Sequence, residues 1–596
     1  MNRILKILIV FLSLYLYGCD TGSIGNSCLN LDFENEDYEG SSLPKNWYTW
    51  GEGFSISLDS REKHSGKYSL KMERAGKPND EFGVFTGILP IETFAGKNVE
   101  YKGWIKTKDI KNGYAGLWLR VDGKNREVLG FDNMNDRGLK DDNCWTQVSI
   151  KIDISQDAVN INFGGLFTGS GIVWFDNLEL YIDGKKYIDI IEPEPKKTLS
   201  RSEIAALRKY IYPLRTYEPD DGDTKDLTIL DELIGNSRVV ALGEVSHGSS
   251  EIFKMKNRII QYLATNKGFD MFSIEANMPE SYKLNDYTIR GEGDPKRLIA
   301  GMYFWTWNTE ELLNMVEWMH NFNQPEQRIE FTGFDMQFFD GAINELSNAF
   351  EGSVEMKKKI VDLKKKLDEI NKQAHQNGSV NIDENEMKDI NSIITFLQSS
   401  IETSSFQSSE KNWLQQNIII IQQYLRDSNR EENVWRDKCM ADNFLWIKEH
   451  NPNSKFVIWA HNVHIMKTNN MQGFHLAQKL GNDYTTFGVT FFNGSFTAVG
   501  SRGLTSYESA QAYPGTLEYL LNRLKEPIFI LDLKKIKSEN NKNTEWLTKE
   551  LDYRSAGSMG GLGNKGEFAK GKIADDFDYL IFIKTSTPST LLQVSN

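Results

Sequence analysis

The chain has 596 residues, 39% hydrophobic and 26% charged, which is the composition of a globular protein too long for one ordinary core. Its formal charge of -14 argues against a nucleic-acid surface, which needs clustered basic side chains in excess, and is read as a charge that keeps the protein in solution.

At the N-terminus, Asn2, Arg3 and Lys6 precede an apolar run from Ile7 to Tyr17 that is too short to span a bilayer as a mature helix, the pattern of a secretory signal. The run ends in Leu16, Tyr17, Gly18 and Cys19, which resembles the lipobox of bacterial lipoproteins. That resemblance implies a signal peptide over residues 1–18, lipid on Cys19, and a tether over 19–29. The protein would then sit on a membrane of the bacterial cell envelope, periplasmic or surface-exposed. Cys28 and Cys144 are candidates to pair in an oxidising compartment, and Cys439 reads as a small buried residue.

From residue 30 to 184, short alternating strands separated by Gly, Asp and Asn turns predict an antiparallel all-β sandwich. The segments NLDFEN, HSGKYSLKM and VWFDNLELYID resemble carbohydrate-binding, galactose-binding-like jelly rolls. The resemblance implies a possible structural calcium near the first and last strands, with Glu34 and Asp176 as ligands. Trp47, Trp50, Trp118 and Trp174 are candidates for a sugar site, with core packing as the alternative. A non-binding spacer is the other reading of the module.

Residues 185–200, containing IDIIEPEPKKTLS, mark a linker. From 201 to 596 strands and helices alternate, which predicts an α/β domain with a mainly parallel sheet covered on both faces. Long polar segments from about 352 to 430 read as a helical insert.

The unit VVALGEVSHGSSEIFKMKNRIIQYLATNKGFDMFSIE, Val239 to Glu275, reads as strand, helix, strand, with Ser249 and Ser250 able to cap the helix. Parallel strands bring their carboxyl ends to one edge, so Glu244, His247 and Glu275 converge there. Asp335 follows the strand from Ile329 to Thr332, and His461 and His464 follow Phe456 to Trp459, so they join the same edge. No G-x-S-x-G elbow or H-E-x-x-H helix is present, which removes the ordinary serine hydrolase and the zincin. Two mechanisms remain open on the residues: a histidine made basic by a carboxylate that takes a proton from water, or a divalent metal on His247, His461, His464 and the carboxylates.

The segments GEVSHGSSEIFKMKNRIIQYL, SIEANMPESYKLNDYTIRGEGDP, YFWTWNTEELLNMVEWM, FTGFDMQ and VIWAHNVHIMK resemble the erythromycin esterase family over about residues 200–596. The resemblance implies a hydrolase that opens a macrolide lactone with a histidine-activated water, requires no cofactor or metal, and confers macrolide resistance. By motif it makes His247 the general base, Glu244 and Glu275 its carboxylates and His461 a second active-site histidine, with His464 completing the motif. Lys256 stands where some members carry arginine; on an apolar helix face it either snorkels out or points into the cleft as a cation. Tyr303, Phe304, Trp305 and Trp307 are candidates to floor a cleft, with helix packing as the alternative, Trp305 and Asp335 being counted as supporting residues; Arg554 with SAGSMGGLG reads as a mobile rim loop or a solvent loop without a role. An esterase acting on a surface glycan is the second reading of the substrate. A non-catalytic glycan-binding lipoprotein is the third, and the convergence of so many charged groups argues against it.

Overall fold

The computed structural model describes residues 29–593 apart from 38–40, 52, 75–81, 125–126, 189–195, 220–221, 327, 378–381 and 429–433. The signal, Cys19 and Cys28 lie outside the described residues. Two compact units meet at residues 195 and 196. No described helix is long and apolar enough to cross a membrane.

In the first unit the long strand Asn98–Asp122 is shared by two layers. Its first half pairs antiparallel with Leu139–Asp153 and Ser170–Ile182, and its second half with Asn160–Thr168 and Val128–Asp132. Alternation along the strand sends Leu117, Leu119 and Val121 into a core with Trp47, Phe85 and Phe163. The same alternation leaves Trp118 on the outer face, where it clusters with Val84, Leu166 and Trp50. Trp47 is therefore core, and buried Trp174 spends its Nε1 on Asp59 Oδ2 at 2.9 Å.

The expected calcium ligands hold a loop instead. Glu34 accepts the Lys67 N–H on both carboxylate oxygens, at 2.8 and 2.9 Å, and Asp176 accepts from the backbone of His64 and Ser65 at 2.7 and 3.0 Å and of Asn177 at 2.7 Å. Oxygens aimed at N–H donors are not arranged for a cation, so the donor set does not fit the ion.

The second unit is built on one sheet of eight principal strands: β1 Ile211–Pro213, β2 Val239–Leu242, β3 Met271–Asn277, β4 Glu330–Asp335, β5 Phe456–Trp459, β6 Tyr484–Gly500, β7 Ile528–Asp532 and β8 Tyr579–Ser586. Their order is β1-β7-β8-β6-β2-β5-β3-β4. Pairing is parallel from β8 through β6, β2, β5 and β3 to β4, and antiparallel at β7 and β1, so the sheet is mixed. Between β7 and β8 the regular elements are helices of seven residues or fewer, the longest being Leu533–Glu539, and a small two-stranded ribbon. Without a long crossover helix the two strands run antiparallel.

β2 is buried on both sides: Val239 and Ala241 face one core and Val240 and Leu242 the other. The helices Val354–Asn377, Glu384–Thr403 and Ser408–Ser428 form the insert, and Leu363, Ile394 and Ile418 merge its apolar stripe with the first of those cores.

Candidate active site

Register aligns the ends of the three central strands. Leu242 of β2 and Ile274 of β3 both pair with Trp459 of β5, so Glu244, Glu275 and His461 leave the sheet at one level. Beyond β2, helix α1, Ser250–Lys267, starts after the His247 turn and stops at left-handed Gly268. Ser249 occupies the N-cap position without capping the helix; its hydroxyl accepts a hydrogen bond from Ser586 instead. The turn is held on both sides. Gly557, itself at φ 61, accepts the His247 N–H at 3.2 Å, and a Cβ on Gly248 would meet the Thr497 carbonyl oxygen at 1.9 Å. The strap from Thr587 to Leu592 closes it. Thr587 accepts from Ser250 N–H, Ser589 donates to the Gly248 carbonyl, and Thr590 accepts from Glu310.

Glu244 is wholly buried and divides its oxygens. Oε1 bonds His247 Nδ1 at 2.7 Å, while Oε2 accepts from Lys256 Nζ at 2.8 Å and Trp459 Nε1 at 2.6 Å. Burial alone would raise the Glu244 carboxyl, but Lys256 and His247 outweigh it and hold the group ionised below its ordinary range. Lys256 thus points inward: its Nζ lies 4.3 Å from the Trp459 ring centroid, and burial pulls its ammonium down to about 8 against the opposing pull of Glu244. An ionised partner on Nδ1 fixes the proton there and leaves His247 Nε2 as the basic atom. That nitrogen has no hydrogen-bond partner among the described residues.

A second group surrounds Glu275. Its Oε1 accepts from Arg436 at 2.9 Å and lies 3.3 Å from His464 Nε2, and its Oε2 accepts the His461 N–H at 2.8 Å. Arg436 also bonds Asp335 at 2.8 and 3.1 Å. His464 Nδ1 bonds Asp437 at 2.7 Å. Burial works against charge on His464, but Asp437 and Glu275 outweigh it and raise the imidazole to about 10. Burial likewise opposes ionisation of Glu275, and His464 and Arg436 reverse this, holding it well below the carboxylate range.

His461 behaves oppositely. Burial, with His247 and His464 nearby, pulls it down to about 3, so it is neutral. Its Nδ1 accepts from Val463 N–H, which leaves Nε2 to donate to the Val245 carbonyl, each at 3.3 Å. With both ring nitrogens committed to backbone, His461 supports His247, whose ring centroid is 5.0 Å away, and does not itself take a proton.

All of the catalytic candidates, with Lys256, His464 and Asp335, thus fall in one connected network, and Trp305 does not. The aromatic ring against His247 is that of Trp307, at 6.1 Å and donating to the Glu275 carbonyl at 3.0 Å, while Trp305 is half-buried without a ring contact or side-chain hydrogen bond among the described residues. The 301–309 turn offers no helical period, so spacing alone does not tell which tryptophan faces in. Arg554 is no rim residue. It is buried, pairs with Glu567 at 2.7 Å and donates to the Phe491, Phe492 and Ala510 carbonyls. Arg436 and Asp437 escape a search of strand ends because they begin helix α2, Trp435–His450. Their signal is that Asp437 lies on the stripe shared with Met440, Ala441 and Phe444, where a charge needs a partner. Among the described residues no group of three or more His, Cys, Asp or Glu is placed to hold a metal.

The erythromycin esterase family model matches residues 264–586, more than half of the chain. The chain belongs to the erythromycin esterase family. YbfO of Bacillus subtilis (strain 168), described provisionally as a hydrolase, is 22% identical over 420 residues, which is 63% of this chain and 90% of that protein. An erythromycin esterase type II of Escherichia coli is 26% identical over 327 residues, 48% of this chain and 76% of its own. Among solved structures, a Bacillus cereus protein aligns with TM-score 0.57 at 24% identity, covering 66% of this chain and 99% of its own. An erythromycin esterase in an open conformation aligns with TM-score 0.52 at 15% identity, covering 64% and 100%. These two likenesses bear on fold alone.

Proposed function

We propose that the second unit hydrolyses a carboxylic ester by general-base catalysis, with His247 Nε2 taking a proton from the attacking water. The observation that carries this reading is the pairing of His247 Nδ1 with a buried, ionised Glu244 while Nε2 stays unpartnered and the side chain is 14% exposed. Stabilisation of the developing oxyanion falls to Arg436 and the His464 imidazolium, which share Glu275 beside His461. No step needs a metal or cofactor, since a carboxylate-oriented histidine generates the nucleophile.

The first substrate to test is a macrolide lactone, because family relatives bear that name. Incubation of the purified protein with 14-membered macrolides should give product heavier by one water, and His247→Ala should lose it. A complete lack of mass gain refutes the macrolide substrate. If activity disappears with a chelator and returns with zinc, a metal-bound water replaces the histidine mechanism.

A glycan ester is the second reading, favoured by the outer face of the first unit. Half-buried Trp50 and buried Trp118 lie there with Asn162, whose Nδ2 is buried without a partner among the described residues. The half-buried Trp50 is the aromatic face a saccharide would stack on, with the unfilled amide on the same side of the sheet. Lipid on Cys19 would hold such an enzyme at the envelope surface, and labelling with a fatty-acid analogue that Cys19→Ala abolishes would test it.

A further inference from the structure

Tyr303 joins strain to exposure. Its backbone is left-handed at φ 69, which is costly for a bulky side chain, and the residue is 48% exposed. The ring lies 4.7 Å from that of Phe338, which lies 5.3 Å from Phe304. Phe338 cannot drift, because Asn277 accepts its N–H at 3.0 Å and donates to its carbonyl at 2.9 Å. Asn277 stands two residues beyond Glu275, and Phe338 three beyond Asp335, the carboxylates that hold Arg436. On the other side Trp307, whose ring stands against His247, donates its backbone N–H to the Phe304 carbonyl at 3.2 Å. This aromatic group is therefore tied to both halves of the catalytic network, although so exposed a ring adds little to the core. Strained, exposed aromatics so anchored are placed to meet a ligand.

We propose that Tyr303, backed by Phe338 and Phe304, is a shelf that takes the apolar face of a ring in the substrate, on either side of the ester, and so sets specificity for ring-bearing esters. This rests on the hydrolase reading. The Tyr303 hydroxyl lies near Glu280 and Asp340; burial and those carboxylates raise it to about 12, so it stays protonated and can also donate to a ring substituent.

The test compares kcat and KM of the full chain on ethyl acetate, phenyl acetate, ethyl benzoate and erythromycin. Tyr303→Gly removes the ring and relieves the left-handed strain, so the fold should be no less stable. The expected result is a loss of about 10-fold in kcat/KM on at least one ring-bearing ester, carried by KM, with ethyl acetate unchanged and Tyr303→Phe close to wild type. Equal loss on every ester, or no loss on any, overturns the shelf while leaving the hydrolase reading intact. A wild-type protein that turns over none of the four refutes the hydrolase reading, and the shelf with it.

Discussion

In a Glu244→Gln variant the new amide has one carbonyl oxygen and one NH2, and its pocket decides which end faces His247. Trp459 Nε1 can only donate, and it lies 2.6 Å from Oε2, with Lys256 beside it at 2.8 Å. The carbonyl oxygen therefore turns to Trp459, and the NH2 faces His247 Nδ1, where the carboxylate now accepts at 2.7 Å. Nδ1 must then accept, the ring proton moves to Nε2, and the atom that should take a proton from water already carries one. Fixing the wrong tautomer in a carboxylate-histidine pair costs roughly 10⁴-fold in kcat, or about 5.5 kcal/mol of barrier. Steady-state kinetics on the best ester found for the wild type, alongside far-ultraviolet circular dichroism to verify the fold, measures it. A folded variant that keeps more than about a tenth of wild-type kcat would refute the assignment of Glu244 and His247.

Other consequences concern charge. Because Lys256 titrates near 8, kcat/KM should decline as pH rises through that value and Glu244 loses its cation; Lys256→Arg should remove the decline within the same range if the larger head is accommodated. His464 is raised from its ordinary 6.5 to about 10. Its contribution to stability is thus complete below pH 6.5 and is lost as pH rises toward 10. Urea unfolding between pH 6.5 and 8, below the Lys256 titration, should show a fall of up to about 1.4 kcal/mol per pH unit that Asp437→Asn reduces. Arg554→Leu leaves Glu567 buried without its cation and should destabilise the second unit by about 3–5 kcal/mol, read from the urea midpoint. Asn162→Ala should lower affinity for immobilised oligosaccharides without altering ester hydrolysis, and unchanged retention on such a column would count against a sugar face.

What the sequence reveals here is what strands control. Parallel strands deliver their ends to one edge by geometry, so Glu244, His247, Glu275, Asp335 and His461 are legible from runs of apolar residues followed by polar ones. Helix-borne partners are not, because a helix face is defined only once its neighbours are known. Lys256 and Asp437 both sit on buried stripes, and periodicity flags the anomaly without naming the carboxylate or imidazole that resolves it. Arg554 and Trp305 show the converse. A charged residue beside glycines looks mobile, and a tryptophan in a turn looks functional, until three-dimensional neighbours are present. The antiparallel flank at β7 and β1 was hidden for the same reason, since strand direction depends on how the connection returns.

The strap from Thr587 to Leu592 also bears on how the protein is made. It hydrogen-bonds Ser250, Gly248 and Glu310, residues translated some three hundred positions earlier. During synthesis the base-bearing turn therefore emerges well before the segment that braces it, and its full set of hydrogen bonds can close only after those late residues clear the ribosome. A stalled or clipped chain lacking them would carry every candidate side chain of the site but not the hydrogen bonds that brace its turn.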